Sequence, residues 1–323
     1  MRVGIIGAGA VGGAFAALLA GSGHSVAVTA RGAHLAAIRE GGIRLRGGFG
    51  QVDASVTAAE TLNATPDLAI VTTKAQDAAA AITANLAHLQ GIPLLVVQNG
   101  LDGVATATRL SPTSEVLGGL AMFAASYLSP GEITVTAPGP TFIGGTTATR
   151  IAPLLSPPLD LEVIDDFEGA QWSKLVVNQI NALPAITGLS AQEVIADRRL
   201  RRVVVASMRE NVRVGLARGV RFGAVSGLTD ARLRAFASSP FPLAQDIPLL
   251  MARRMGAVPN PGSTLQSIRR GQLSEIDYLN GAVVTAGREV GVPTPVNDAL
   301  VTHVHEVESR GRFFAVDEVL ARL

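Results

Sequence analysis

The sequence predicts an α/β protein: an N-terminal Rossmann-type doubly wound sheet followed by an all-helical C-terminal domain. Three observations carry that expectation. A short apolar run, Val3-Gly4-Ile5-Ile6, leads directly into Gly7-Ala8-Gly9-Ala10-Val11-Gly12, and a small-residue helical stretch from Ala14 to Ala20 follows. Apolar strand-like runs then alternate with helical stretches, the pattern that builds a parallel sheet. After Glu168 the strand pattern stops and helical periodicity takes over. At 323 residues two domains are the natural expectation. The boundary is expected near Phe167, giving a dinucleotide-binding domain over 1–167 and a helical substrate and dimerisation domain over 168–323.

The glycine stretch has the form G-x-G-x-x-G with a strand before it and a helix after it. In that setting Gly7 permits a tight turn, Gly9 lets the backbone approach a pyrophosphate, and Gly12 allows close helix–strand packing. The helix start offers free N–H groups and a partial positive charge to phosphate. The next strand, His24 to Ala30, ends at Arg31-Gly32. An NAD-preferring fold would place Asp or Glu there; a guanidinium suits a 2′-phosphate instead, so NADP(H) is the expected cofactor.

Gly42 to Val56 alternates weakly between glycines, as a hairpin does. Asp67 to Thr73 reads as a buried strand ending at Lys74, with a helix from Ala75 to about Gln90. Pro93 to Val97 is the next strand, followed by Gln98-Asn99-Gly100. Arg31, Lys74 and Asn99 therefore share the carboxyl edge of the sheet, where such folds bind ligands. From Glu115 to Ile164 short strands (Met122–Tyr127, Glu132–Thr136, Thr141–Ile143, Leu161–Ile164) read as an antiparallel extension of that sheet.

In the second half, helices are expected at Gln171–Pro184, Ser190–Ala196, Arg199–Arg218, Thr229–Ala237, Gln245–Arg253, Ser274–Val290 and Val296–Ser309. Pro184 should kink the first of these. Pro259-Asn260-Pro261-Gly262 is a turn that presents Asn260 and makes Ser263 a helix N-cap. Ser274 and Asp277 look like a capping-box start, which offers Glu275 a purely structural place in a first helical turn.

Composition narrows the function. Hydrophobic residues make up 48% of the chain and charged residues 16%, enough for large cores and against disorder. The net charge of +1, without a basic stripe, argues against nucleic acid. There is no cysteine, which excludes disulfides and thiolate chemistry. His303 and His305 lack carboxylates at ligand spacing, so no metal is expected. With neither a signal-peptide pattern nor an apolar run of about 18 residues, a cytoplasmic protein without a membrane partner is expected.

The chemistry is expected in Gln171 to Pro184. Of the 27 basic residues only Lys74 and Lys174 are lysines. Lysine can be tuned by burial and can release a proton, whereas arginine effectively cannot. Asn178 lies one helical turn beyond Lys174 and Asn181 three residues further, so three polar groups line one face.

These motifs together resemble the ketopantoate reductase (2-dehydropantoate 2-reductase) family over nearly the whole length. The resemblance rests on Gly7-x-Gly9-x-x-Gly12, Arg31, Val71-Thr72-Thr73-Lys74-Ala75, Gln98-Asn99-Gly100, Trp172 to Asn178, and Ser263-Thr264-Leu265-Gln266 running on to Glu275-Ile276-Asp277-Tyr278. It implies NADPH-dependent reduction of ketopantoate to pantoate, as in pantothenate biosynthesis, with substrate in a cleft between the domains. It implies Lys174 as catalytic lysine and Glu275 as the acid near it and the cofactor. Asn99, Lys174, Asn178, Asn181, Asn260 and Ser263 would contact substrate; Lys74 and Asn99 would line the nicotinamide side; and Gly7, Ala8, Gly9, Ala10, Val11, Gly12 and Arg31 would hold the rest of the cofactor.

Two positions depart from the family pattern. An asparagine frequent eight residues after the lysine is Ala182 here, with Asn181 one place earlier, and a further asparagine expected near Ala191 or Gln192 is absent. A relative acting on another 2-oxo acid, a 3-hydroxy acid or an opine stays open on that account. So does a non-catalytic NADP(H)-binding module, though such a module has no need of Lys174 and Glu275. The apolar helical half is compatible with a homodimer face.

Overall fold

The apolar runs of the first half pair as parallel strands in the computed structural model, which describes residues 1–256 and 258–323, and Leu128 by its backbone alone. The chain divides into two units, Met1–Phe167 and Glu168–Leu323.

In the first unit the strands are β1 (Arg2–Ile6), β2 (Ser25–Thr29), β3 (Ile43–Gly47), β4 (Val52–Ala54), β5 (Thr57–Ala59), β6 (Leu68–Val71), β7 (Leu94–Val97), β8 (Val116–Ala121), β9 (Ala124–Ser129), β10 (Glu132–Ala137), β11 (Thr141–Gly144) and β12 (Leu161–Val163). Its helices are α1 (Ala10–Gly21), α2 (Gly32–Gly41), α3 (Ala75–Asn85), α4 (Gly103–Leu110) and α5 (Ala148–Leu155). Eight strands form one sheet in the order β12-β11-β8-β7-β6-β1-β2-β5. From β5 across to β8 every pairing is parallel. β6 and β7 are buried along their whole length, as strands covered on both faces must be. The chain runs outward from β1 to β2 and β5, then crosses to β6 on the other side of β1. The direction of winding therefore changes at β1 and β6, where Gly7 follows β1.

One expectation is corrected here. Residues 122–136 do not extend the main sheet; β9 and β10 leave it and join the 43–54 hairpin in a separate sheet of order β4-β3-β10-β9. β3 and β4 pair antiparallel, β10 pairs parallel with β3, and β9 pairs antiparallel with β10. The physical reason lies in α1, which buries Gly12 through Ala17 and Leu19. A helix apolar nearly all round needs cover on a second side. Gly13 makes the close approach possible: a Cβ there would lie 2.7 Å from Ile133 Cγ1. Only β11 and β12 remain as the extension, β11 antiparallel to β8.

The second unit is helical: α6 (Phe167–Asn178), α7 (Ala182–Thr187), α8 (Ala191–Ala196), α9 (Arg198–Ala217), α10 (Asp230–Ser238), α11 (Phe241–Ala244), α12 (Asp246–Arg254), α13 (Gly262–Arg269), α14 (Asn280–Val290), α15 (Pro295–Arg310) and α16 (Val316–Leu320). α9 runs through its centre and buries Val204, Val205, Met208, Val212 and Val214. Capping sets the boundaries: Ser190 and Glu193 form a reciprocal capping box at α8, and the Asp197 carboxylate accepts from Arg199 N and Leu200 N at α9.

Two helices expected from the sequence break. The stretch Gln171–Pro184 divides at Gln179–Asn181, which is a 3₁₀ turn. Pro184 has no N–H to offer Ile180 and crowds its carbonyl, so the chain tightens just before the proline instead of bending at it. Ser274–Val290 begins as a 3₁₀ turn over Ile276–Tyr278, and α14 starts only at Asn280. Ser274 and Asp277 do not complete a capping box, because Ser274 N donates to Glu308 Oε1 instead. No helix among the described residues is long and apolar enough to cross a membrane.

Candidate functional site

In the first unit the parallel strands bring Gly7, Arg31, Lys74 and Asn99 to one edge of the sheet. The glycine loop there is held by side chains that sequence reasoning passed over. Gly7 N donates to Thr29 Oγ1 at 2.9 Å, and Thr72 Oγ1 donates to Gly7 O at 2.6 Å. His34 Nδ1 accepts from Gly131 N at 3.1 Å, which leaves Nε2 to donate to Ala8 O at 2.6 Å. The three glycines differ in kind. Gly7 has φ +102°, and a Cβ on Gly12 would overlap Gly7 O and Thr72 Oγ1. A Cβ on Gly9 would meet nothing within 4 Å.

Ala10 and Val11 open α1 beside Gly9. No side chain caps this helix start, and no acid stands in its first turn. A loop with room at Gly9, at an uncapped helix start, fits a phosphate group. Arg31 is exposed at the end of β2 and makes no ion pair among the described residues. Lys74 is the N-cap residue of α3, and Gln98 Nε2 donates to Thr73 O at 2.7 Å, fixing the β7 end that carries Asn99 against the β6 end.

In the second unit Lys174, Asn178 and Asn181 are each half-buried, while Leu175, Val176, Gln179 and Ile180 between them are buried. The polar face read from the sequence therefore survives the 3₁₀ break. Ser173, next to the lysine, is fully buried and donates to Gly223 O at 2.7 Å. Burial lowers the Lys174 ammonium from 10.5 to about 8, and the Glu275 carboxylate opposes that fall. Glu275 precedes the 3₁₀ turn and is itself half-buried. The segment before it is tied down, because Ser274 N donates to Glu308 Oε1 at 2.8 Å.

Asn181 also meets the 259–262 turn. Gly262 has φ +71°, and a Cβ there would sit 2.6 Å from Asn181 Oδ1. Asn260 Oδ1 accepts from Gly262 N at 2.9 Å, so Asn260 rather than Ser263 serves the start of α13; Ser263 is exposed inside that helix. Gln192 has a part the sequence did not disclose. Its Oε1 accepts from Asn260 N at 2.9 Å, and its Nε2 donates to Val258 O at 2.8 Å and Gly256 O at 3.2 Å. Gln192 thus braces the turn that carries Asn260.

His305 corrects another expectation, since it does have carboxylate company. Its Nδ1 lies 2.9 Å from Glu308 Oε2 and its Nε2 lies 2.9 Å from Asp277 Oδ1. Burial opposes a charge on the ring, but the two carboxylates together outweigh it and raise the imidazole above 6.5. The two carboxylates lie on opposite sides of the ring, and no cluster among the described residues is arranged to hold a metal ion.

Family models match most of this chain: ketopantoate reductase PanE/ApbA over residues 3–147, and ketopantoate reductase PanE/ApbA C terminal over residues 166–308. The chain belongs to the ketopantoate reductase family. Within that family, a protein of Mesorhizobium japonicum named 2-dehydropantoate 2-reductase is 30% identical over 345 residues, covering 95% of this chain and 98% of its own. The PanE/ApbA family ketopantoate reductase of Ralstonia eutropha JMP134 has a TM-score of 0.82 at 29% identity, covering 96% of this chain and 99% of its own. D-mandelate dehydrogenase, solved with NADH and anilino(oxo)acetate, shares the fold at TM-score 0.81 and 22% identity, covering 96% of this chain and 99% of its own. As a ketopantoate reductase family member the chain is an oxidoreductase.

Proposed function

We propose that this oxidoreductase uses NADP(H) to reduce a small 2-oxo acid, with 2-dehydropantoate as the first substrate to test and pantoate for pantothenate biosynthesis as the product. The observation that carries the reading is Lys174: an ammonium lowered to about 8 by burial, with the Glu275 carboxylate acting on it. A donor with such a pKa is mostly protonated at neutral pH yet gives up its proton readily. When bound, a reduced nicotinamide supplies the hydride that arrives at the carbonyl carbon. Lys174 offsets the negative charge that develops on the carbonyl oxygen and then protonates it. Glu275 keeps the ammonium charged and oriented until the proton leaves, and the neutral amine regains a proton from water.

Asn178, Asn181, Asn260 and Ser263 are assigned to the substrate's polar groups, with Asn181 close against Gly262 and Asn260 held by Gly262 and Gln192. Gly7 to Gly12 are assigned to the pyrophosphate, which the room at Gly9 supports, and Arg31 to the 2′-phosphate. Lys74 and Asn99 are assigned to the nicotinamide side.

A second reading, reduction of a different 2-oxo acid, has its own support. Ala182 offers no side-chain amide, and both ends of the Gln192 amide are engaged by Gly256, Val258 and Asn260. One experiment separates the readings: NADPH oxidation followed by absorbance with 2-dehydropantoate and a panel of other 2-oxo acids. Turnover of 2-dehydropantoate with the best kcat/KM of the panel is expected. A better alternative substrate overturns the substrate assignment, and NADPH binding without any turnover overturns the reaction itself.

A further inference from the structure

Beneath the Lys174 face lies a set of buried, hydrogen-bonded polar side chains with no part in the chemistry described so far. Gln179, Ser207, Asn280 and Asn297 are 0–1% exposed, and Glu210 is 6% exposed. They come from four different places in the second unit: the turn after α6, the middle of α9, the start of α14 and the start of α15. Asn280 is the hub. Its two N–H groups reach Gln179 Oε1 at 2.7 Å and Asn297 Oδ1 at 2.9 Å. The Ser207 hydroxyl lies 2.9 Å from each of the same two oxygens and donates to one at a time. Gln179 Nε2 donates back to Leu175 O at 3.0 Å. Asn297 Nδ2 donates to Ser207 O and to Glu210 Oε2, and the Glu210 carboxylate also accepts Val296 N and Asn297 N at 2.9 Å each.

The register of this network is informative. Gln179 follows Lys174 by five residues, and Asn280 follows Glu275 by five. The direct Gln179–Asn280 bond therefore joins the two backbone segments that carry the lysine and the acid. Leu175, whose carbonyl Gln179 holds, is the lysine's immediate neighbour. Apolar contacts between helices tolerate sliding, whereas buried amides lose heavily if their partners move. We propose that Gln179, Ser207, Asn280, Asn297 and Glu210 are positioning residues: the buried amide network fixes the spacing of Lys174 and Glu275. The inference rests on the proposed role of that pair, but its test does not depend on turnover.

With only two lysines in the chain, ¹⁵N-lysine NMR resolves the Lys174 ammonium, and Lys74→Arg assigns the signals. Asn280→Leu removes the hub. With Glu275 released, the ammonium loses the charge that opposes the effect of burial. Its measured pKa is expected to fall by roughly half a pH unit or more. In activity, kcat is expected to drop about 10- to 100-fold, the scale of a misplaced catalytic group, with KM for NADPH little changed. Ser207→Ala leaves the amide–amide bonds in place; should Asn280→Leu not fold, it and Gln179→Met carry the test, with smaller shifts in the same direction. A lower Tm with an unmoved Lys174 pKa in these variants makes the network merely structural and overturns the proposal. A shifted pKa without turnover on any 2-oxo acid supports the positioning and sinks the function instead.

Discussion

The sheet edge around Gly7–Gly12 and the helical face around Lys174 are built in opposite ways. At the sheet edge the surface proposed to meet the cofactor is backbone: a Cβ on Gly9 would meet nothing within 4 Å, and the start of α1 has no side-chain cap. At the lysine face the surface is side chain, and its geometry depends on partners far away in sequence, 68 residues for Gln192 and Asn260 and 101 for Gln179 and Asn280. Backbone recognition tolerates change in the neighbouring side chains but not an added Cβ. Side-chain recognition tolerates much locally and fails when a distant brace is lost.

The largest expected effect tests the side-chain half. Lys174→Ala should lower kcat by about two to four orders of magnitude in steady-state assays, the usual contribution of a positioned proton donor. For the parent, kcat/KM should decline as pH rises through about 8, where the ammonium of the free enzyme is lost. Activity in Lys174→Ala close to the parent's would remove the lysine from the chemistry.

Arg31→Ala comes next. If the guanidinium meets a 2′-phosphate, a charge-assisted bond of about 1.5–3 kcal/mol is lost, which weakens NADPH roughly 10- to 100-fold in titrations and leaves NADH almost unchanged. Equal loss for both cofactors would make Arg31 a general phosphate contact.

The glycines sharpen the backbone half as a pair. Gly9→Ala has space for its methyl group, so the melting temperature should hold while NADPH binding weakens about tenfold, the scale of a displaced charge-assisted bond. Gly12→Ala has no such space and is expected to lower the melting temperature by about 2–12 °C, from an overpacking cost of about 1–3 kcal/mol. If both behave alike, the loop's role is packing alone.

The smallest effect concerns His305, whose ring is half-exposed between Asp277 and Glu308. Its pKa is raised on folding, so its stabilisation is complete below pH 6.5 and fades as pH rises through the raised value. His305→Gln should melt about 1–3 °C lower than the parent at pH 6, as suits a solvent-screened pair, and equally at pH 9. A difference that persists at pH 9 would assign the ring's role to packing.

What the sequence disclosed follows the same division. The glycine loop, Arg31 and Lys74 are local: each is read within a few residues of a strand end, and the sheet order alone brings them to one edge. The polar face of Lys174, Asn178 and Asn181 was also readable, because helical spacing is local. What stayed hidden is long-range. Alternation marks 124–137 as strands but carries no record of which sheet they join; the apolar all-round surface of α1 was the available signal. Gln192 looked like a missing asparagine until its amide was seen bracing Asn260. Asn280 stood inside an expected helix and gave no sign of being buried, and Gly262 looked like an ordinary turn residue until Asn181 was found against it.

The separate sheet also has a consequence in time. β3 waits for β10, and the Arg44–Glu132 pair spans 88 residues. At about 5–20 residues per second, synthesis of that interval takes roughly 4–18 s. Throughout it, the outer side of α1 and the 43–54 hairpin lack their cover, although β1 and β2 already exist. Such a non-local parallel pairing is slow to form. The start of the chain, where the glycine loop lies, is therefore made early yet completed late, and a nascent chain halted before residue 137 would expose the apolar face of α1 to whatever holds unfinished proteins in the cell.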